Sequence, residues 1–157
     1  VLRLITVRRS ILSDPYPIAL DMRIEDAQEV WAASHDTPLK ALLHGYIYSE
    51  ECYTIYRIKD GLPVAMFGYT RVDPLHGGIW LLGSKELENH PVRFLKESKY
   101  WLNHIQESVP LLFNVVDCRN TTHIRWIEWL GFSFIRTIQE YGPDRLPFIE
   151  FARMRRG

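Results

Sequence analysis

The sequence predicts a single α/β domain, residues 1–157, built on a mixed sheet that is mostly antiparallel and contains one parallel strand pair. Strand-like runs rich in β-branched and aromatic residues alternate with segments of helical apolar spacing. The Asp60-Gly61 step between two such runs is a strong hairpin signal. A long helical segment separates two short, nearly all-apolar runs, which favours a parallel pair joined by a right-handed crossover.

The first half of the chain is predicted to contain a strand, two helices and a hairpin. The strand ends at a Pro-rich cluster, residues 14–17, and acids between apolar residues at helical spacing predict the first helix. Thr37 before Pro38 is typical of a second helix start. The predicted elements are a strand over 2–9, helices over 22–34 and from 38 to about 49, and strands over 52–59 and 63–72.

The second half begins with a predicted turn at Gly77-Gly78, followed by a short buried strand. An amphipathic helix ends before Pro110, and Asn120 is a plausible N-cap for a short helix closed by Gly131. The predicted elements are a strand over 79–82, a helix over 91–107, a strand over 111–117, a helix over 121–130, and strands over 132–140 and 146–153. The order is therefore β-α-α-β-β-β-α-β-α-β-β.

Composition and charge exclude several classes of function. Apolar residues make up 46% of the chain, which is too apolar for a disordered tail. Lysine plus arginine number 19 and aspartate plus glutamate number 19, so no net field draws the chain onto nucleic acid or an anionic membrane. No stretch approaches the ~20 apolar residues of a bilayer span. Charged residues interrupt the N-terminal region where a signal peptide needs an apolar run, so we expect no export.

The cysteines and histidines predict neither a disulfide framework nor a metal site. Cys52 and Cys118 lie in apolar strand-like runs, where a free cysteine behaves as a small hydrophobe in a reducing compartment. The six histidines are scattered and lack the short ligand spacing of a zinc site.

Several segments resemble the GNAT, or acyl-CoA N-acyltransferase, fold. The stretch 120–132, NTTHIRWIEWLGF, resembles the family segment that runs from an Asn through a short helix to a Gly-Phe. Together with residues 22–34, PVAMFG (63–68), WLLGS (80–84) and YGP (141–143), it is similar to a family of small GNAT-like proteins of short-tailed bacteriophages, one of them an internal virion protein. The resemblance implies a phage virion or the host bacterial cytoplasm as the location.

The resemblance implies an acetyl-CoA site where the fourth and fifth strands splay apart. The residues that match it are Leu81, Leu82, Gly83, Ser84 and Asn120. The following stretch, 83–91, departs from the family pattern, because it has a single glycine, two acids at Glu86 and Glu88, and Pro91 in place of an N–H donor. We therefore expect no bound cofactor, with Lys85 as the lone cation near the expected phosphates.

The general-acid position also departs from the family pattern. The position that matches the usual tyrosine acid is Ile127, which has no proton to donate, so no catalytic residue is assigned. Tyr69, Tyr100 and His123 are candidate replacement acids and Asp117 is a candidate base, and each is also explained by packing or capping.

Two hypotheses follow. The first is a GNAT-fold protein with a degenerate acyl-transfer site, acting by association with the virion or with a phage or host protein. The alternative is an active acetyl-CoA-dependent N-acetyltransferase that modifies a host protein or a small amine. For the first, Trp126 and Trp129 lie on neighbouring faces of a short apolar helix, so we expect one indole to reach the surface and serve as a partner contact.

Overall fold

The computed structural model describes residues 4–156, which form a seven-stranded sheet in the order β1-β2-β3-β4-β5-β7-β6. Every neighbouring pair is antiparallel except β4 and β5, which are parallel. The strands are β1 Ile5–Arg9, β2 Glu51–Arg57, β3 Pro63–Arg71, β4 His76–Gly83, β5 Leu111–Asp117, β6 Ser133–Tyr141 and β7 Leu146–Met154. The helices are α1 Pro15–Leu20, α2 Ile24–Ser34, α3 Pro38–Tyr48, α4 Pro91–Ile105 and α5 Thr121–Trp129, with a 3₁₀ helix at Lys85–Asn89. The predicted mixed sheet is confirmed.

The parallel pair is short. β4 and β5 pair only at three positions, from His76 with Leu111 to Gly78 with Phe113. Beyond Gly78 the described strands pair only with their outer neighbours, β4 with β3 and β5 with β7. The predicted splay between these two strands is therefore confirmed, and it opens toward Gly83 and Asp117.

Apolar clusters cover both faces of the sheet. Helices α4 and α5 pack on one face, where Phe94, Leu102 and Trp126 join the larger core cluster. Helices α1 to α3 cover the other face through a smaller cluster around Ile18, Leu42 and Met66. No helix within residues 4–156 is long and apolar enough to cross a membrane. Residues of both faces meet at the splay, because there the sheet between them is interrupted.

The predicted turn at Gly77-Gly78 is wrong, because both glycines lie inside β4. They form the parallel pairs with Leu112 and Phe113. A Cβ on Gly77 would lie 3.1 Å from the Tyr69 ring and 3.3 Å from Leu112. The glycine therefore permits close packing rather than a turn, and β4 begins three residues before the predicted strand.

The first strand ends before the Pro-rich cluster at residues 14–17, as predicted, but Pro15 also begins a helix, α1, which the sequence did not predict. A proline in the first turn loses no helical hydrogen bond, since that N–H has no intrahelical partner. The 3₁₀ helix after β4 was likewise not predicted.

Residues 2 and 3 of the first predicted strand lie outside the described residues. At the other end of the chain, Arg153 is buried in β7 and donates to Leu130 O and Gln106 Oε1.

Candidate functional site

A cavity of about 580 Å³ occupies the gap between β4 and β5. Its walls come from both faces of the sheet and are mostly apolar, and its rim on the α2–α3 side includes the exposed Ser34 and His44. Lining residues used below are Glu29, Ala33, Leu81, Leu82, Ser98, Asn114, His123, Trp126 and Ile127. The size and character fit a ligand site, since such sites are concave, largely apolar and carry a few polar groups.

Leu81 presents a free strand edge to this cavity. Ser84 N donates to Val64 O of β3, so the alternating residues of β4 that point the other way are Leu81 and Gly83. Gly83 confirms that direction, because its N–H donates to Asp26 Oδ2 and its C=O accepts from the backbone N–H of Arg23, the residue before α2. The backbone N–H and C=O of Leu81 therefore face the gap beyond the last β4–β5 pair.

Asn114 closes the narrow end of the gap. Its Nδ2 donates to Ile79 O at 2.6 Å, and its Oδ1 accepts from Val115 N at 2.8 Å. The side-chain amide thus replaces the next rungs of a parallel ladder. Because these rungs are replaced by a side chain, the two strands diverge at this residue without leaving Ile79 O unpaired.

Two carboxylates of α2 close the wide end. Asp26 Oδ2 accepts from Gly83 N at 3.0 Å, and Asp26 Oδ1 accepts from Asn120 Nδ2 at 3.0 Å. Glu29 Oε1 accepts from Asp117 N at 3.0 Å. Helix α2 therefore bridges the ends of β4 and β5, and its side chains use the donors that face the gap there.

The three backbone amides that follow Leu82 all donate within the protein. Gly83 N bonds to Asp26, Ser84 N to Val64 O at 2.8 Å, and Lys85 N to Asp21 O at 3.0 Å. Ser84 also forms an isolated bridge with Met22. The turn therefore differs from a phosphate-binding turn, in which successive N–H groups point at the anion.

Charges around this turn are paired or acidic. Arg23 is 1% exposed and bonds to Asp26 at 2.6 Å and Glu88 at 2.8 Å, with its guanidinium over the Trp126 ring. Glu86 contacts Arg57 at 3.4 Å. The predicted lone cation, Lys85, is mostly exposed and lies 4.0 Å from the carboxylate of Asp21. Among the described residues, the nearby cations are therefore engaged by the protein's own carboxylates.

Glu29 is the most perturbed acid of the cavity. Burial, together with the charges of Asp26 and Asp117, raises its pKa to about 8, against the opposing hydrogen bonds from Asp117 N and Asn120. Burial also lowers the pKa of His123, whose Nδ1 lies 4.0 Å from Asp26 Oδ1. The surroundings therefore favour the protonated form of the Glu29 carboxyl and the neutral form of the His123 imidazole. Such perturbed groups in a cleft are typical of functional sites.

The candidate acids and base from the sequence are mostly placed elsewhere. Ile127 is buried and lines the cavity. Tyr69 and Tyr100 do not line it; the Tyr69 hydroxyl donates to Glu50, and Tyr100 is exposed. Asp117 is 1% exposed and accepts from Arg119 N and its guanidinium, as a cap at the strand end. Only His123 among these candidates reaches the cavity.

The residues predicted to hold a cofactor lie together at the gap, but only some of them have polar groups that are free to bind a ligand. Leu81 and Leu82 line the cavity, whereas Gly83 and Ser84 use their amides internally. Asn120 precedes α5 as predicted, yet its side chain forms no cap and donates to Asp26 instead. Sequence reasoning missed Asp26, Glu29 and Asn114, since acids on an amphipathic helix look like an ordinary solvated face.

Comparisons with known proteins agree on the fold. No protein-family model matches the chain, and no curated protein matches it. Among solved structures, the GNAT-family acetyltransferase from Bacillus anthracis is 9% identical with a TM-score of 0.74, covering 97% of this chain and 95% of that one. Ard1 from Thermoplasma volcanium is 15% identical with a TM-score of 0.74, covering 99% and 100%. The NatC complex bound to Gag peptide and CoA contains a chain that is 12% identical with a TM-score of 0.69, covering 97% and 99%.

These likenesses extend over nearly the whole chain at low identity, so they establish architecture. The protein has the GNAT acetyltransferase fold.

Proposed function

We propose that this GNAT-fold protein has a degenerate acyl-transfer site and acts by binding a partner. The observation that carries the proposal is the internal use of the amides of Gly83, Ser84 and Lys85. A pyrophosphate needs several such N–H groups at once, because its charge is otherwise left without compensation on leaving water. In this chain an anion would have to displace Asp26 and two backbone carbonyls to reach them.

The surrounding charges support the same conclusion. Glu86 and Glu88 lie beside the turn, and Pro91 starts α4 without an N–H. Arg23, the best-placed cation, is held by Asp26 and Glu88. Separating it from these partners costs several kcal/mol, about 3–5 for a buried pair. A nucleotide would therefore meet repulsion and gain little new pairing.

For a binding role, the class of partner is proposed from the sequence resemblance. The segments similar to the small phage proteins point to a virion or to another phage or host protein. The exposed Trp129 of α5, with Lys99 over its ring at 5.2 Å, offers an aromatic contact for such a partner. Tryptophan is enriched among residues that dominate binding energy, so this side chain is the first to test.

The alternative, an active acetyl-CoA-dependent N-acetyltransferase, rests on Glu29 and the cavity. A carboxyl whose pKa is raised to about 8 can accept a proton from an attacking amine once it has ionised, and the ionised fraction increases as pH rises through about 8. It lines the cavity with Leu81, where an amide-containing arm would lie along β4.

Titration with acetyl-CoA separates the two functions. We expect millimolar acetyl-CoA to leave the melting temperature unchanged and calorimetry to show no saturable heat, because a ligand that binds the native state must stabilise it. A concentration-dependent rise would contradict the binding role. In that case a Glu29→Gln variant that still binds acetyl-CoA but loses turnover with amine acceptors would establish the enzyme.

A further inference from the structure

Strand β6 is an open edge of the sheet. Within residues 4–156 it pairs only with β7. Seven of its nine residues are exposed, so neither of its faces is covered by a helix. Two of the exposed side chains, Phe134 and Ile135, are large and apolar. An exposed strand with an unpaired edge is a template for pairing with another strand.

The direction of the β6 backbone groups follows from the hydrogen bonds of β7. At the two ends of β7, Arg155 N donates to Pro110 O and Pro147 O accepts from Cys118 N, and both bonds are directed toward β5. The β5–β7 register runs without a shift between these ends. Because alternate residues of an antiparallel strand bond to opposite sides, the odd-numbered residues of β7 face β5 and the even-numbered residues face β6.

The backbone groups of β6 are assigned in the same way. Arg136 and Ile138 pair with even-numbered residues of β7, so their N–H and C=O groups bond to that strand. The N–H and C=O groups of Thr137 and Gln139 therefore point away from the sheet. Register shifts lie on either side of this stretch and confine the regular edge to it.

A second copy of the chain fits this edge in one antiparallel register. Two copies related by a two-fold axis can pair Thr137 with itself, Gln139 with itself, or Thr137 with Gln139. Only the last register places Arg136 opposite the partner's Glu140, and it does so twice in the dimer. It also places Ile138 opposite its own counterpart at the axis, where cross-strand side chains lie closest. The other two registers place Ile138 opposite Arg136 or Glu140.

The charges of β6 favour this self-pairing. Arg136 is 67% exposed and lies 3.4 Å from Glu150 of its own chain, so its guanidinium is at the surface and can also reach the partner's Glu140. Opposite charges across a strand pair stabilise it, and like charges destabilise it. The other edge strand, β1, ends in Arg8 and Arg9 and contains no acid, so two copies of β1 would leave these arginines unmatched.

We propose that two copies of this chain pair antiparallel along β6, about a two-fold axis at Ile138, and join their sheets into one. Thr137 and Gln139 of each copy exchange backbone hydrogen bonds with Gln139 and Thr137 of the other. Dimerisation through β6 does not depend on whether the acyl-transfer site is degenerate.

Sedimentation and hydrogen exchange of the intact protein test this interface. From micromolar to millimolar concentration we expect a reversible monomer–dimer equilibrium, since pairing along one short strand buries a small area. The amides of Thr137 and Gln139 should gain protection from exchange as the dimer forms. The amides of Arg136 and Ile138, which bond to β7, should be protected at every concentration.

Two charge reversals test the register. Arg136→Glu and Glu140→Arg should each weaken dimerisation by about tenfold or more, because each places like charges opposite one another in the homodimer. An equimolar mixture of the two variants should restore the dimer, because every acid then lies opposite an arginine. Lys59→Glu, at an exposed position after β2, is the control and should dimerise as the wild type does. Melting temperatures check that each variant folds.

Three results would overturn the proposal: a monomer at every concentration, a dimer that both charge reversals leave intact, or a mixture of the variants that stays monomeric. Hydrogen exchange needs no variant, so it decides the matter even if a charge reversal prevents folding. Protection of Thr137 and Gln139 that appears only on addition of a different protein would assign the edge to a strand of that protein instead of a second copy.

Discussion

The wide end and the centre of the β4–β5 gap differ in whether their backbone N–H and C=O groups have hydrogen-bond partners within the protein. At the wide end, the Asp26 and Glu29 carboxylates of α2 accept hydrogen bonds from the backbone amides of Gly83 and Asp117. These amides are therefore not available to a ligand. At the centre, Leu81 faces a cavity of about 580 Å³. The contrast shows that carboxylates on one adjacent helix satisfy the backbone donors at one end of the gap, while the backbone groups of Leu81 at its centre face the cavity.

Substitutions at the wide end of the gap, where Asp26 bonds to Gly83, should reduce stability more than substitutions elsewhere in α2. Asp26→Ala removes the acceptor of two buried donors, Gly83 N and Asn120 Nδ2, and leaves Arg23 without its closest partner. We expect a loss of about 3–5 kcal/mol in the free energy of unfolding, measured by urea denaturation. Glu25→Ala on the same helix is the control, because its carboxylate is about half exposed, and should change stability by less than about 0.5 kcal/mol. A loss below about 1 kcal/mol for Asp26→Ala would mean that α2 does not hold the gap closed.

The far end of α2 is held by the β6–β7 turn. Gly142 has φ +71°, and a Cβ there would lie 2.0 Å from Ala32 O, while His35 Nε2 and Asp144 Oδ1 are 2.9 Å apart. Gly142→Ala should therefore cost about 2–3 kcal/mol from strain and overlap together. Gly61→Ala is a matched control, since Gly61 has φ +73° but open space around its Cβ, and should cost about 1 kcal/mol.

If the two glycine substitutions cost the same, the contact between the turn and α2 contributes nothing to stability.

The pH dependence of stability tests the raised pKa of Glu29. Because the folded pKa of Glu29 is raised from 4.5 to about 8, the unfolded chain loses this proton first, and stability falls as pH rises from about 5 to 8. Glu29→Gln keeps an acceptor for Asp117 N but cannot ionise. We expect the variant to be more stable by ~2 kcal/mol at pH 8, because solvent screens the partly exposed Glu29, and equally stable near pH 4. Glu25→Gln should follow the wild type, and parallel curves for Glu29→Gln and wild type would contradict the protonated state.

Much of the fold could be predicted from the sequence, because periodicity and turn residues are local. The parallel pair followed from two apolar runs around an amphipathic helix, and Thr37 does cap α3 through Lys40 N. Gly77-Gly78 was assigned to a turn because glycine has the same local signal in a turn and in a crowded strand. Crowding by Tyr69 and Leu112 depends on tertiary structure.

The site was less predictable than the fold, because its contacts also depend on tertiary structure. Leu81 was identified from the resemblance, but Asp26 and Glu29 act on residues far along the chain, Gly83 and Asp117. On a helix with Glu25 and Asp26 in its first turn, acids complement the helix dipole whatever else they contact. No local pattern distinguishes an acid that caps a strand 57 positions away from one in water.

The smallest effect on stability is expected at Trp129, outside the gap. The prediction that one of two tryptophans reaches the surface is confirmed, since Trp126 is 7% exposed and Trp129 is 50% exposed. Trp129→Ala loses the contact with Lys99 and should cost about 0.5–1 kcal/mol, whereas Trp126→Ala should cost about 3–5 kcal/mol because it empties the core beneath Phe94. If Trp129 is the partner contact, its loss should weaken co-purification or virion incorporation by about 2 kcal/mol or more while the melting temperature stays nearly constant. Tyr100→Ala, a similarly exposed aromatic on α4, is the control. Unchanged association for Trp129→Ala would remove this surface from the proposal.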